Sequence, residues 1–349
     1  MNILERFIRN NRSIFWTLVF IGGFYFFIFL ISHSAAEKNA VPAEAKKVAR
    51  MTAYEIKQKE ETFEQNIQMH PRLLIALASF FLLAFCSGIF ICIYMIMRKM
   101  GGLPIISQSL PQNGVPWGPK DTLEVFVFLF FVDTLVVFLE VVLNLFINLK
   151  HADKDLLLFI NNLVRDTSLL GFLFFIVKKR FGRPLSEIGL TAKNLFKNIV
   201  TGIAGYIAVI PVLSVLLLCL MLAAQAFSYE PPPQPVVEIY LKKSANEHLL
   251  FFTFFVAVAG PLAEEIFFRG FVYKAFRGRF GVRWAAVCSA ALFSALHMNC
   301  FIFLPIFFLG LFLVYLYERT GSLVPSITAH VIHNFVMVGA TLIFKSLST

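Results

Sequence analysis

Runs of about twenty apolar residues recur along this chain, and each is long enough to cross the hydrocarbon core of a bilayer as a helix. No other feature constrains the fold as tightly. Nine candidate spans are expected, near 14–32, 73–97, 123–149, 156–177, 199–226, 248–273, 285–300, 302–317 and 324–344. The seventh and eighth are short and nearly continuous, meeting around Asn299 and Cys300, and the third and fourth carry charges. Composition points the same way. The chain is 58% hydrophobic and 15% charged, whereas a soluble domain has roughly 45–50% apolar and about 25% charged residues. Its 42 Phe residues present surface that needs lipid as its solvent. The expected fold class is an all-α, polytopic membrane helix bundle of about eight or nine transmembrane helices. A disordered chain and an ordinary soluble globule are excluded.

Lys and Arg concentrate on the cytoplasmic side of membrane proteins. With the amino terminus inside, 18 of the 31 basic residues fall in inside segments. Seven of the others lie in the long 33–72 loop beside six Glu, which leaves the short loops split 18 to 6. The expected localisation is therefore an integral membrane protein with a cytoplasmic amino terminus. The net charge of +10 reads as topology and as attraction to anionic lipid. Membrane lipid is thus an expected partner and nucleic acid is not, since no basic cluster is interleaved with stacking aromatics.

Two regions are expected. Residues 1–120 form an amino-terminal membrane region with two spans and the polar 33–72 loop, which has helical character around 52–68. Residues 121–349 form the core. The first span follows Arg6, Arg9 and Arg12 and ends near Ser34-Ala35-Ala36, as a signal peptide would. Its apolar run exceeds the usual length of about 7–15 residues, so it reads as an uncleaved anchor. Cys86, Cys92, Cys219, Cys288 and Cys300 all sit in apolar runs without metal-type spacing, as small buried hydrophobes do.

The chemistry is concentrated in the last hundred residues. Span six reads Gly260-Pro261-Leu262-Ala263-Glu264-Glu265-Ile266-Phe267-Phe268-Arg269-Gly270. An acid near mid-membrane costs about 2.5–3.5 kcal/mol on insertion scales, so such a residue is a functional candidate by default. Glu265 and Arg269 are four apart and share a helical face, which suits an ion pair. Glu264 points about 100° away. Glu265 therefore reads as structural, held by Arg269, and Glu264 as free for chemistry. Span seven places Phe293 and His297 on one face; by itself this His equally suits an interhelical hydrogen bond. Span nine carries His330-Val331-Ile332-His333-Asn334, with His330 and Asn334 co-facial and His333 toward a neighbouring face. At 1.5 Å per residue, Glu264 and His330 each lie about 13 Å from the inner end of their spans, and His297 about 18 Å. The three elements can meet in a hollow open to the inner side.

A carboxylate in such a hollow can share a proton with a bound water, and a nearby neutral imidazole can help to activate that water. Two donors one turn apart, a His and an Asn, can hold a tetrahedral oxyanion. The set suits amide hydrolysis without a covalent intermediate. Ser289 and Ser294 lie near His297, but no nucleophile-elbow pattern surrounds them. A zinc site from Glu264, His297 and His330 is the minor alternative; HExxH is absent, and no cofactor is expected.

Glu264-Glu265-x-x-x-Arg269, Phe293-x-x-x-His297 and His330-x-x-x-Asn334 resemble the three motifs of the CPBP intramembrane glutamic proteases. This family includes the Ras-converting CAAX endopeptidases and many bacterial Abi-type proteins. Phe268-Arg269-Gly270 and the stretch from Glu318 to Ser326 resemble its bacterial branch. The likeness covers roughly 245–345. It implies an all-helical membrane endopeptidase of a bacterial plasma (inner) membrane. Its catalytic residues would be Glu264 as general base, His297 as the water-activating partner, and His330 with Asn334 as the oxyanion site. Glu265 and Arg269 would support them. The implied partner is a peptide or protein substrate, with or without a lipid modification. Two other readings compete: a non-catalytic membrane scaffold or bacteriocin-immunity-type protein, and a transporter, which lacks the paired half-symmetry often seen in such folds.

Elsewhere, Asp133, Glu140, Asn144 and Asn148 line one face of span three. Such a stripe must face protein or water, and Arg165 and Asp166 of span four are its candidate partners.

Overall fold

The computed structural model describes residues 58–59, 61–102, 114–146, 154–229, 240–241 and 247–348. The first expected span and Asn148 lie outside them. All regular structure among the described residues is helical, and seven helices are long and apolar enough to cross a membrane. The protein is an all-α, polytopic integral membrane protein.

The helices are α1 (Pro71–Met100), α2 (Pro119–Phe146), α3 (Lys154–Phe174), α4 (Leu195–Ala226), α5 (Glu247–Phe254), α6 (Gly260–Glu265), α7 (Lys274–Ala295), α8 (Phe303–Thr320) and α9 (Val324–Leu347). Wider π turns follow α3 at Phe175–Arg180, join α5 to α6 at Phe255–Ala259, and join α6 to α7 at Ile266–Tyr273. The chain divides into two compact units, 67–122 with 170–346, and 123–169 with the segments that flank it in that unit.

In the first of these units α7 packs on α8, α8 on α4, and α4 on α1. Tyr206, Val209 and Leu213 of α4 meet Leu309, Leu313 and Leu316 of α8 and Ala329 of α9 in a buried cluster. Pro211 interrupts α4. A proline has no N–H for the carbonyl four residues back, here Ile207. Gly88 of α1 lies directly against Ile207 O and Pro211, and the Cys92 thiol donates to Ala208 O at 3.2 Å. Small residues on α1 thus cover the backbone that the proline disturbs. Large apolar side chains remain exposed on every spanning helix, as lipid-facing surfaces require.

The stretch between spans six and seven reads in sequence as a connector; the structure makes it helical except at Gly281 (φ 74°, ψ 172°), where the helix breaks. Its polar side chains have partners that let the helix continue. Arg277 pairs with Glu318 at 2.8 Å, Tyr273 donates to the other Glu318 oxygen at 2.7 Å, and Lys274 donates to the Glu187 carbonyl. Span seven ends earlier than expected, at Ala295. The junction at Asn299 is a turn, in which Asn299 Oδ1 accepts the Phe301 N–H at 3.0 Å before α8 begins.

In the other unit the polar stripe of α2 has partners on α3. Asn161 donates to Glu140 at 2.9 Å, and Arg165 lies close enough to Asp133 to act on it electrostatically, besides pairing with Asp166 at 3.5 Å.

Candidate active site

Glu264 and Glu265 end α6 between two π turns. Consecutive residues on a helix point about 100° apart, and the environments differ accordingly: the Glu265 side chain is fully buried, whereas that of Glu264 is 37% exposed. Arg269, also fully buried, donates to Glu265 Oε1 at 2.7 Å and to the Gly310 carbonyl at 3.3 Å. Its guanidinium lies 4.3 Å from the centre of the Phe293 ring, within the range of a favourable cation–π contact. A buried charge of this kind is tolerated only when paired and hydrogen-bonded.

His330 joins the two acids. Its Nδ1 lies 2.9 Å from Glu265 Oε1, and its Nε2 lies 3.6 Å from Glu264 Oε2. Glu265 Oε1 accepts a hydrogen bond from Arg269 and, as a carboxylate, can only accept from the imidazole, so Nδ1 carries the hydrogen. That leaves Nε2 facing Glu264.

His297 lies in the turn just past α7, not on the helix, and is exposed. Its Nδ1 is 2.8 Å from the Phe293 carbonyl. A carbonyl only accepts, so Nδ1 is the donor and Nε2 keeps a lone pair when the ring is neutral. Phe293 packs edge-on between both imidazoles, with centroids 5.0 Å from His297 and 5.6 Å from His330. Both also lie close enough to His333 to influence its charge, and His333 packs edge-on to Tyr206 at 5.9 Å.

Glu264, Glu265, Arg269 and His330 are thus in direct contact, and Phe293 links His297 to them. Asn334 is engaged elsewhere: its Nδ2 donates to the Val256 carbonyl at 2.9 Å. Ser289 and Ser294 donate to the carbonyls of Phe268 and Phe303. Sequence reasoning missed Gly310. A Cβ there would sit 3.1 Å from Ala290 Cβ and 3.3 Å from Phe293; its absence lets α8 approach α7 and offer a carbonyl to Arg269. A glycine inside an apolar helix was the available signal. Among the described residues, no group of three or more His, Cys, Asp or Glu side chains is placed to hold a metal ion.

Residues 246–336 match the family model for type II CAAX prenyl endopeptidase Rce1-like. The likeness of this chain to the CAAX proteases is thus carried by that carboxy-terminal segment. The matched segment contains Glu264, Glu265, Arg269, His297, His330 and Asn334. That likeness supports a membrane protease acting on a protein substrate. No curated protein and no solved structure matches the chain. Within the matched segment, Glu318 in the last turn of α8 ties that helix to Arg277 and Tyr273.

Proposed function

We propose that this protein is an intramembrane glutamic endopeptidase that cleaves a peptide bond in a membrane-delivered peptide or protein tail. Glu264 is the general base and His297 its water-activating partner. The observation that supports this most is the contrast between the two acids: Glu265 is consumed by Arg269 and His330, while Glu264 is accessible and faces an imidazole nitrogen at 3.6 Å.

In this reading a water sits between Glu264 and His297 Nε2. Glu264 takes its proton as the oxygen attacks the scissile carbonyl carbon. The resulting oxyanion is held by the second N–H of the Asn334 amide and, when Nε2 carries a hydrogen, by His330. Collapse breaks the C–N bond, and Glu264 returns the proton to the leaving amine. Glu265 and Arg269 hold His330 in place. The chemistry uses no metal. The protein resides in a bacterial plasma membrane with its amino terminus in the cytoplasm.

The test uses full-length protein in proteoliposomes with a prenylated CAAX peptide as substrate. Loss of a general base costs about 10²–10⁴-fold, so Glu264→Gln is expected to lower kcat by at least about 100-fold without loss of folded protein, and EDTA to leave the wild-type rate unchanged. Equal cleavage by Glu264→Gln removes Glu264 from the mechanism. Inactivation by EDTA with rescue by zinc moves the chemistry to a metal.

A further inference from the structure

The amide of Asn334 holds a backbone carbonyl that has no other donor along its own helix. Helical carbonyls are satisfied by the N–H four residues on, or five residues on in a π turn. For Val256 these are Gly260 and Pro261. The Gly260 N–H is used by the Phe255 carbonyl, and Pro261 has no N–H. A half-buried carbonyl left in this way is satisfied by a partner elsewhere, and Asn334 Nδ2 supplies one at 2.9 Å. The break falls just before the reactive pair, since Glu264 is three residues past Pro261. The next turn back on α9 carries His330, which grips Glu265 at 2.9 Å and faces Glu264 at 3.6 Å. One face of α9 therefore holds the Glu-bearing segment at two points, one on its backbone and one on its side chains.

We infer that Pro261 and Asn334 form a positioning device: the proline frees the Val256 carbonyl, and Asn334 captures it, which sets the placement of Glu264 against His330. Asn334 then has two tasks, one for each amide hydrogen. The first acts on the fold and the second, under the proposed function on which this inference rests, acts on the oxyanion. Pro261 takes part in no chemical step.

A double-mutant cycle separates these tasks. Asn334→Ala and Pro261→Ala are made singly and together in the full chain, and thermal unfolding is followed in detergent micelles. In the wild-type background Asn334→Ala is expected to lower Tm by about 2–4 °C, because a half-buried carbonyl loses its donor. In the Pro261→Ala background the restored N–H at position 261 takes over that carbonyl, and the same substitution is expected to change Tm by under about 1 °C. Additive shifts overturn the inference. This readout needs no substrate, so it stands whether or not the chain cleaves the peptide. Cleavage supplies the second arm. The kcat loss from Asn334→Ala is expected to shrink by about tenfold in the Pro261→Ala background with KM unchanged, whereas a role confined to the oxyanion leaves the loss the same in both. An active Glu264→Gln protein with a coupled Tm cycle sinks the functional reading and leaves the device standing. If Asn334→Ala fails to fold, recovery of folding by Pro261→Ala supports the device; failure in both backgrounds moves the same comparison to Asn334→Ser.

Discussion

Glu264 and Glu265 are neighbours in sequence and opposites in environment, and the difference rests on Arg269. Desolvating a guanidinium is tolerable here because Glu265, the Gly310 carbonyl and the Phe293 ring all face it. Removing it leaves Glu265 buried with only His330 as a donor. Breaking a buried pair at one end costs about 3–5 kcal/mol. Arg269→Met is therefore expected to lower the unfolding temperature sharply, and the added substitution Glu265→Gln to restore part of the loss by removing the stranded charge. Thermal unfolding in detergent checks both. A single Arg269→Met variant as stable as the wild type would show that Glu265 has another source of compensation.

At the scale of elements, close backbone contacts decide which helices can meet. Little hydrophobic driving force acts between helices in lipid, so packing and hydrogen bonds hold them together and small residues mark the contacts. On α4, a Cβ at Gly202 would lie 2.6 Å from the Pro325 carbonyl and 2.7 Å from Thr328 Cβ. On α8, a Cβ at Gly310 would lie no closer than 3.1 Å to α7. Overpacking costs about 1–3 kcal/mol where neighbours cannot shift. Gly202→Ala is thus expected to lower Tm more than Gly310→Ala does. The order should reverse for activity, because Gly310→Ala presses on Ala290 and on Phe293, whose ring lies against His297 and His330. Thermal unfolding and kcat on the same two variants test this; a Gly310→Ala enzyme with unaltered kcat would detach Phe293 from the site.

For the whole molecule, the distribution of Lys and Arg argues that the segment around Gly281 faces the cytoplasm. Arg279 and Arg283 are exposed there, beside exposed Phe280 and Trp284. Basic residues with aromatic neighbours suit a membrane–water interface. A cysteine at Arg283, in a protein stripped of its five native cysteines, is expected to react with a membrane-impermeant maleimide from the cytoplasmic side alone. Labelling from the opposite side would invert the topology and, with it, the side from which the site is reached.

The sequence by itself determined the membrane-spanning helices, because a bilayer demands about twenty apolar residues per crossing and little else satisfies a backbone in lipid. It also determined the Glu265–Arg269 pair, since residues four apart on a helix are neighbours whatever surrounds them. Contacts between distant segments had no such local signature. That His330 bridges both acids, that Gly310 feeds Arg269 a carbonyl, and that Asn334 reaches back 78 residues to Val256 were decided by how α7, α8 and α9 pack around α6. The placement of His297 belongs to the same class: helical periodicity runs on through Leu296, and only the turn at Asn299, whose side chain accepts the Phe301 N–H ahead of α8, ends the helix before the imidazole. Period sets which residues share a face; packing sets what that face meets.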